Sequence, residues 1–177
     1  MKTQDINRLK KIIAGFDKTK ILVVGDLILD EYIWGKVERI SPEAPVPVVW
    51  ANRRSYMPGG AANVANNIVS LGGKVFVCGV VGKDKDADTL QRELKDKDIN
   101  TEGVVEDKKR RTTLKTRIIA SHQQVVRLDW EDIGPLAEPI STKITDFIQK
   151  NIDSFDAVII EDYGKGVITS SLLDKIY

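Results

Sequence analysis

Cysteine occurs once in this 177-residue sequence, as Cys78, and histidine once, as His122. A single thiol excludes a disulfide framework within the chain. It also excludes a His/Cys metal cluster, and a Ser-His-Asp triad would hang on one residue in a turn. Neither charge is in excess: 27 Lys+Arg against 26 Asp+Glu give a net charge of +1. No global field points to nucleic acid or to a membrane surface, and neither is expected as a partner. No apolar run approaches membrane-spanning length. The first residues carry Lys10 and Lys11 but no apolar h-region, so no signal peptide is expected and the location read is cytoplasmic. A GxxxxGK[ST] phosphate loop is absent.

What is present suits one domain with a small appendage: 42% of the residues are hydrophobic, enough for a core. The most informative run is PGGAANVANNIVSLGGKVFVCGVVGKD, Pro58 to Asp84. Gly59 and Gly60 stand directly before Ala62, Ala65, Ile68 and Val69, which recur at helical spacing. Glycine there frees the backbone to bend and lets a ligand approach a helix N-terminus. Asn63 places an amide in the first turn, where it can meet a hydroxyl or simply cap the helix. Gly72-Gly73 ends the helix, and a strand follows from Lys74 to Val81.

Elsewhere, Asp5 to Phe16 reads as an amphipathic helix. Ile21 to Gly25 is a continuous apolar strand of the kind buried on both faces of a parallel sheet. Glu31 to Met57 holds Tyr32, Trp34, Val46, Val48 and Trp50, interrupted by Pro42, Pro45 and Pro47. The prolines favour edge strands and loops, and the aromatics point to a surface that something else covers. Asp86 to Asp98 reads as an exposed helix. Thr112 to Ala120 and Gln123 to Asp129 read as a hairpin turning at Ser121-His122. Ile140 to Ile152 is helical, Asp156 to Gly166 is a buried strand with a polar, glycine-rich turn, and Thr169 to Tyr177 begins a helix. Helices alternating with apolar strands imply an α/β fold with a parallel sheet. Segments 31–57 and 103–130 break that alternation and are assigned to a separate small sheet.

Parallel sheets bind ligands outside the carboxyl ends of their strands. Those ends carry Asp26, then Gly82 with Asp84, then Asp162 with Lys165. Carboxylates suit sugar hydroxyls because each oxygen accepts charge-assisted hydrogen bonds. Asp26 fits that role or that of a strand-terminal turn residue; Asp30 fits it about as well as that of a solvated carboxylate. Asp162 and Lys165 fit a ligand site or a turn with a surface lysine. Lys115 and Arg117 lie two apart and share a strand face, as do Arg127 and Asp129. They form a phosphate-binding set or a solvated, charged face. Lys108 to Arg111 reads as a solvated loop, and His122 as a hairpin tip.

The glycine pair, Ala61, Asn63, Ala65, Gly72 and Gly82 together resemble the first signature of the ribokinase (PfkB) family of sugar kinases. Val23–Val49, with its ISPEAPVPVV stretch, His122–Asp129 and Glu161–Val167 resemble more narrowly the branch of that family acting on D-glycero-D-manno-heptose 7-phosphate. That branch phosphorylates the anomeric hydroxyl, for ADP-heptose and lipopolysaccharide core synthesis. The resemblance runs from about Lys20 onward. It implies a three-layer α/β/α body around a parallel sheet, incomplete here, with a small β-sheet lid. It implies ATP and Mg²⁺ as cofactors and a sugar-phosphate substrate; the cluster Tyr32, Trp34, Val48 and Trp50, which the parallel core cannot absorb, predicts a homodimer formed through the lid. The resemblance adds weight to substrate binding by Asp26, Gly59, Gly60 and Asn63; Lys115, Arg117 and Arg127, from their shared strand face, and Asp162 and Lys165, from their place after a strand, complete the expected substrate-binding set. Family members carry their catalytic aspartate in a late GAGD motif. This sequence has none, so that aspartate is expected beyond residue 177, and residues 1–177 read as the N-terminal part of a kinase domain, inactive alone. Two other readings stay open: another sugar or nucleoside kinase of the family, or a non-catalytic sugar-phosphate-binding or dimerisation module.

Overall fold

The computed structural model describes residues 3–176. These residues form eight strands in two four-stranded sheets. The first is all parallel: β1 (Lys20–Gly25), β4 (Lys74–Gly82), β5 (Asn100–Asp107) and β8 (Ala157–Glu161), in the order β5-β4-β1-β8. The second runs β3 (Pro47–Gly60), β2 (Leu27–Ile40), β6 (Thr113–Ala120) and β7 (Gln123–Trp130), in the order β3-β2-β6-β7. Among the described residues no helix is long and apolar enough to cross a membrane.

The apolar run of β1 is explained by helices on both faces. Val23 faces a core shared with α2 (Ala61–Ser70) and α3 (Lys85–Lys95), beside Ala62, Ala65, Leu90 and Leu94. Leu22 and Val24 face the other way, toward Ile144 and Ile148 of α4 (Glu138–Asn151) and Leu172 of α5 (Ser170–Leu173). All three β1 side chains are fully buried, each contributing about 1.5–3 kcal/mol by the burial of apolar surface. Cys78 joins the second core. Burial pushes its thiol up to about 12, so it stays protonated and inert near neutral pH. The first helix, α1 (Thr3–Ile13), keeps the expected periodicity, with Leu9, Ile12 and Ile13 exposed.

The expected small sheet exists, with different boundaries. Residues 103–107 do not belong to it: β5 pairs in parallel with β4, Cys78 opposite Gly103 and Val81 opposite Glu106. Gly103 permits this, since a Cβ there would lie 2.6 Å from the Phe147 ring and 2.7 Å from the Val77 carbonyl. At the other end the sheet is longer than expected, because β2 begins at Leu27 and β3 ends at Gly60. Pro47 opens β3 and Pro58 lies within it. Because β3 is an edge strand, its prolines leave no inner ladder bond unmade. The β6–β7 hairpin turns on Ser121 and His122 with φ of 50° and 70°, the left-handed pair a two-residue hairpin needs.

Asp84 ties the layers together. Its Oδ1 accepts the Ala87 N–H at 2.9 Å and caps α3, while its Oδ2 accepts the Thr112 N–H at 2.8 Å, where the chain enters β6. The Thr112 hydroxyl accepts the Gly82 N–H at 2.9 Å. Burial pushes the Asp84 carboxyl up, but the Thr112 and Ala87 donors outweigh it and hold it below its ordinary value. Losing a cap and orphaning a second amide, Asp84→Ala should cost about 2 kcal/mol in urea unfolding at pH 7. A lowered folded value means that the contribution is present above the unfolded value and lost as pH falls through the folded one. The gap between parent and variant should therefore close below about pH 4; a gap of the same size at pH 3 would contradict the assignment.

Candidate functional site

Asp26 is the single residue between β1 and β2, where the chain leaves one sheet for the other. Its N–H donates to the Glu161 carbonyl at 3.2 Å, and its own carbonyl accepts the Ala61 N–H at 3.0 Å. Its carboxylate, in a residue only 1% exposed, accepts the amides of Tyr163 (2.8 Å), Lys165 (3.0 Å) and Val167 (3.3 Å). The cleft bounded by Asp26, Arg110, Lys165 and Val167 holds about 10 Å³, room for one water at most. The structure thus gives Asp26 a different use from the expected grip on sugar hydroxyls: it anchors the loop after β8. That loop is shaped by Gly164 (φ 70°) and Gly166 (φ 92°). The exposed Asp162 accepts the Gly164 N–H at 2.8 Å within its own turn.

Asp30 is the next carboxylate along the chain, four residues beyond Asp26. It lies within β2, opposite Met57 of β3 and Lys115 of β6. A Cβ on Gly59 would sit 2.8 Å from its Oδ2, so only glycine lets the carboxylate lie against that backbone. Gly60 adopts φ 55°, and a Cβ there would meet the Asp26 carbonyl at 2.4 Å. From Gly60 the chain enters α2 with no side-chain cap and no acidic residue in the first turn. The Ala61 N–H is taken by the Asp26 carbonyl, so it is the amides after it in the first turn, with the helix dipole, that remain available to an acceptor. Asn63 is exposed in that turn, without a side-chain hydrogen bond among the described residues.

The cations expected on one face of the second sheet are there, and each meets a carboxylate. Arg117 donates to Asp30 at 2.6 Å, and Lys115 to Asp129 at 2.9 Å. Arg127 forks onto the two Asp129 oxygens at 2.8 and 3.0 Å. Lys165 donates to Glu131 at 2.8 Å, and Lys115 stands 3.6 Å from the same carboxylate. Burial pushes the Asp129 carboxyl up, but Lys115 and Arg127 outweigh it and hold it low. Because Lys165 comes from the loop after β8, this face of the second sheet looks onto the carboxyl ends of the first. The row continues outward as Arg117 over Tyr32 (5.4 Å), Tyr32 stacked on Trp34 (6.2 Å) and Arg53 over Trp34 (4.4 Å).

Sequence reasoning missed Glu131 and Arg110. Glu131 continues the alternation of Arg127 and Asp129, a signal that was available. Arg110, read as part of a solvated loop, is half-buried and bonds to backbone far along the chain. Asp30, Gly59 and Arg117 thus meet on one face of the second sheet, and Lys115, Arg127 and Lys165 carry charge along it; with Gly60 and Asn63 at the head of α2, this face is the candidate wall of a ligand crevice. A wall of carboxylate, free amides and cations suits a polyhydroxyl compound bearing an anionic group. Asp26→Ala, by removing the acceptor of three amides, of which that of Val167 is buried and those of Tyr163 and Lys165 partly so, should cost about 2–3 kcal/mol in urea unfolding. Gly60→Ala, strained at positive φ and crowded against Asp26, should cost at least about 1 kcal/mol. Stability within about 0.5 kcal/mol of the parent in both would remove Asp26 from its anchoring role.

Comparison with known proteins bears on the family of the chain. The profile of the pfkB family carbohydrate kinases matches residues 18–174. The chain is 53% identical, over 157 residues, to the bifunctional protein HldE of Helicobacter pylori strain HPAG1, covering 89% of this chain and 34% of that protein. It is 43% identical over 169 residues to the bifunctional protein HldE of Pelobacter propionicus, covering 96% and 35%. The chain therefore spans about a third of the length of the curated relatives it matches. Among solved structures, the tetrameric inhibited form of phosphofructokinase-2 from Escherichia coli superposes with a TM-score of 0.66 at 17% identity, over 89% of this chain and 51% of that one. Fold likeness at that identity concerns architecture alone, but the profile spans nearly every described residue. By that match the chain belongs to the pfkB family of carbohydrate kinases.

Proposed function

We propose that this chain supplies the sugar site and lid of a kinase that transfers phosphate from ATP to the anomeric hydroxyl of D-glycero-D-manno-heptose 7-phosphate. The reaction would feed ADP-heptose synthesis in the cytoplasm. The observation that carries the reading is the crevice wall, with Asp30 against Gly59 and lid cations beyond it. The sequence likeness to proteins named bifunctional HldE supports the choice among sugar kinases.

In this reading Asp30 accepts sugar hydroxyls, and the amides at the start of α2, with the Asn63 side chain, donate to them. Lys165, Lys115, Arg117 and Arg127 set four positive charges against Asp30, Asp129 and Glu131. One positive charge is left over, and a sugar phosphate brings about −1.5 to −2. Asp26 acts through the loop it holds, keeping Lys165 and Asp162 at the crevice. MgATP supplies the phosphoryl group. Transfer then depends on positioning and on charge stabilisation at the moving group. It needs a base within hydrogen-bond reach of the hydroxyl; Asp26 is sealed and Asp30 is paired, so that base comes from elsewhere. The 177-residue chain alone should accordingly bind heptose 7-phosphate without turning over ATP. Heptose-dependent turnover by this chain would overturn that part of the reading. No heptose 7-phosphate binding in calorimetry would overturn the reading itself.

Asn63 gives the cleanest variant, since it is exposed and spends no bond on the fold. Asn63→Ala should weaken heptose 7-phosphate binding about tenfold, the loss of one good hydrogen bond, with an unchanged melting temperature. Equal affinity in the variant would take Asn63 out of the site.

A homodimer through the second sheet belongs to the same proposal. Trp50 is 71% exposed and Trp130 51%. Every residue of β7, the outer strand, is exposed. A hollow of about 490 Å³ lies beside Trp50, Val48 and Val49. An apolar edge strand of this kind pairs unless it is blocked. Sedimentation should show a dimer that Trp50→Glu weakens; a parent monomeric at about 100 µM would contradict it, since a specific interface of standard size binds more tightly.

A further inference from the structure

We infer that Arg110 is a positioning residue for the sugar site. It stands in a run of exposed basic residues, yet it is half-buried and has no carboxylate partner among the described residues. Its guanidinium donates instead to three backbone carbonyls. Nη1 reaches Lys165 O at 2.8 Å, and Nη2 reaches Gly134 O at 2.9 Å and Asp132 O at 3.2 Å. Arg110 follows β5 at one edge of the parallel sheet, while Lys165 follows β8 at the other edge. The segment leading into the second sheet thus lies across the carboxyl ends of the first.

What Arg110 holds decides what it does. The Lys165 ammonium pairs with Glu131. Arg110 bonds the backbone of Lys165 itself, and the backbone of Asp132 and Gly134 just after Glu131. One guanidinium therefore fixes both partners of the pair. Asp26 completes the grip from below: it takes the Lys165 N–H while Arg110 takes the Lys165 carbonyl. With its N–H, carbonyl and ammonium all bonded, Lys165 has one orientation toward the crevice. The fit at this junction is close, since a Cβ on Gly166 would overlap the Gly134 carbonyl. Backbone fixed before the ligand arrives spares binding the entropy of ordering it. A planar fork with five donors can span three carbonyls in this way; a lysine ammonium, a point charge on a flexible stem, cannot.

The role rests on the kinase reading above, and the test separates the two. The complete gene product carrying this chain is compared with Arg110→Lys and Arg110→Ala, and with Lys109→Ala as an exposed neighbour. Arg110→Lys should raise the KM for heptose 7-phosphate about tenfold or more, since small misplacements of positioning groups carry large kinetic effects. Its kcat at saturating sugar and its KM for ATP should stay within about threefold of the parent, the split expected when ground-state binding is lost. Arg110→Ala should go further in the same direction, and Lys109→Ala should match the parent. If Arg110→Ala does not fold, Arg110→Lys carries the test. A sugar KM within about twofold of the parent overturns the inference, as does a rise matched by an equal rise in the KM for ATP. A parent with no heptose-dependent turnover fails the kinase reading instead. Amide exchange at Tyr163, Lys165 and Val167 then decides: faster exchange in Arg110→Lys supports the grip, and unchanged protection overturns it.

Discussion

The fold and the crevice both depend on the satisfaction of Asp26. It is the only residue between a strand of the parallel sheet and a strand of the second sheet, and each of its polar atoms is bonded. Its N–H faces β8, its carbonyl the first residue of α2, and its carboxylate the loop after β8. A buried carboxylate is costly unless fully hydrogen-bonded. Here the cost is offset by amides that have no ladder of their own, because the loop must bend away from the sheet. The donors come from residues 137 to 141 positions away, so the first strand and the last must be in place together. The glycine pair then follows from sterics: Gly60 is pressed against the Asp26 carbonyl and Gly59 against Asp30.

The charged crevice has a second logic. Its cations and carboxylates lie on adjacent strands at directly paired positions, Asp30 opposite Lys115 and Lys115 opposite Asp129. Cross-strand pairs of opposite sign help to fix register. The same residues face the site, so the register of the second sheet and the electrostatics of the crevice are one property. A shift of one residue would turn the whole set to the opposite face. That opposite face carries its own buried group: Glu31 is held by Arg54 at 3.0 Å and by the Thr116 hydroxyl at 2.5 Å. With ionic pairs on both faces, a slipped register would bury unmatched charge on each.

Much of this was legible in the sequence, and what was not has physical causes. The β1 strand, the glycine-pair helix and the Ser121-His122 hairpin read correctly because their signals are local: apolar continuity, helical spacing, a two-residue turn. Strand β5 was assigned to the wrong sheet because an edge strand is half-exposed in either sheet, and Val104-Val105-Glu106 reads alike in both. The lid cations were found by alternation, but their partner Glu131, one further step along the same alternation, was not followed past Trp130. The sealing of Asp26 is illegible for a different reason. Its place after a strand marks it as a site residue, and only the distant amides of the 163–167 loop show that it is sealed.

Position at the end of a strand is therefore a weak guide to which carboxylate meets a ligand, and coverage is a stronger one. A carboxylate at a sheet edge becomes available only if no loop folds back over it. The glycine-rich segment after β8 does fold back, because Gly164 and Gly166 allow the left-handed turns that aim successive amides at one acceptor. Asp26 is thereby spent on structure, and the next outward carboxylate in the strand alternation that lies beside a glycine is Asp30. Its single strong partner, Arg117, also lies over Tyr32, so in the proposed reading the guanidinium keeps the aromatic contact while Asp30 turns an oxygen to a hydroxyl. The exposed end of the crevice thus holds groups that can exchange partners, and the sealed end holds groups that cannot. In the proposed reading that division lets one sheet junction serve stability at its base and binding at its mouth.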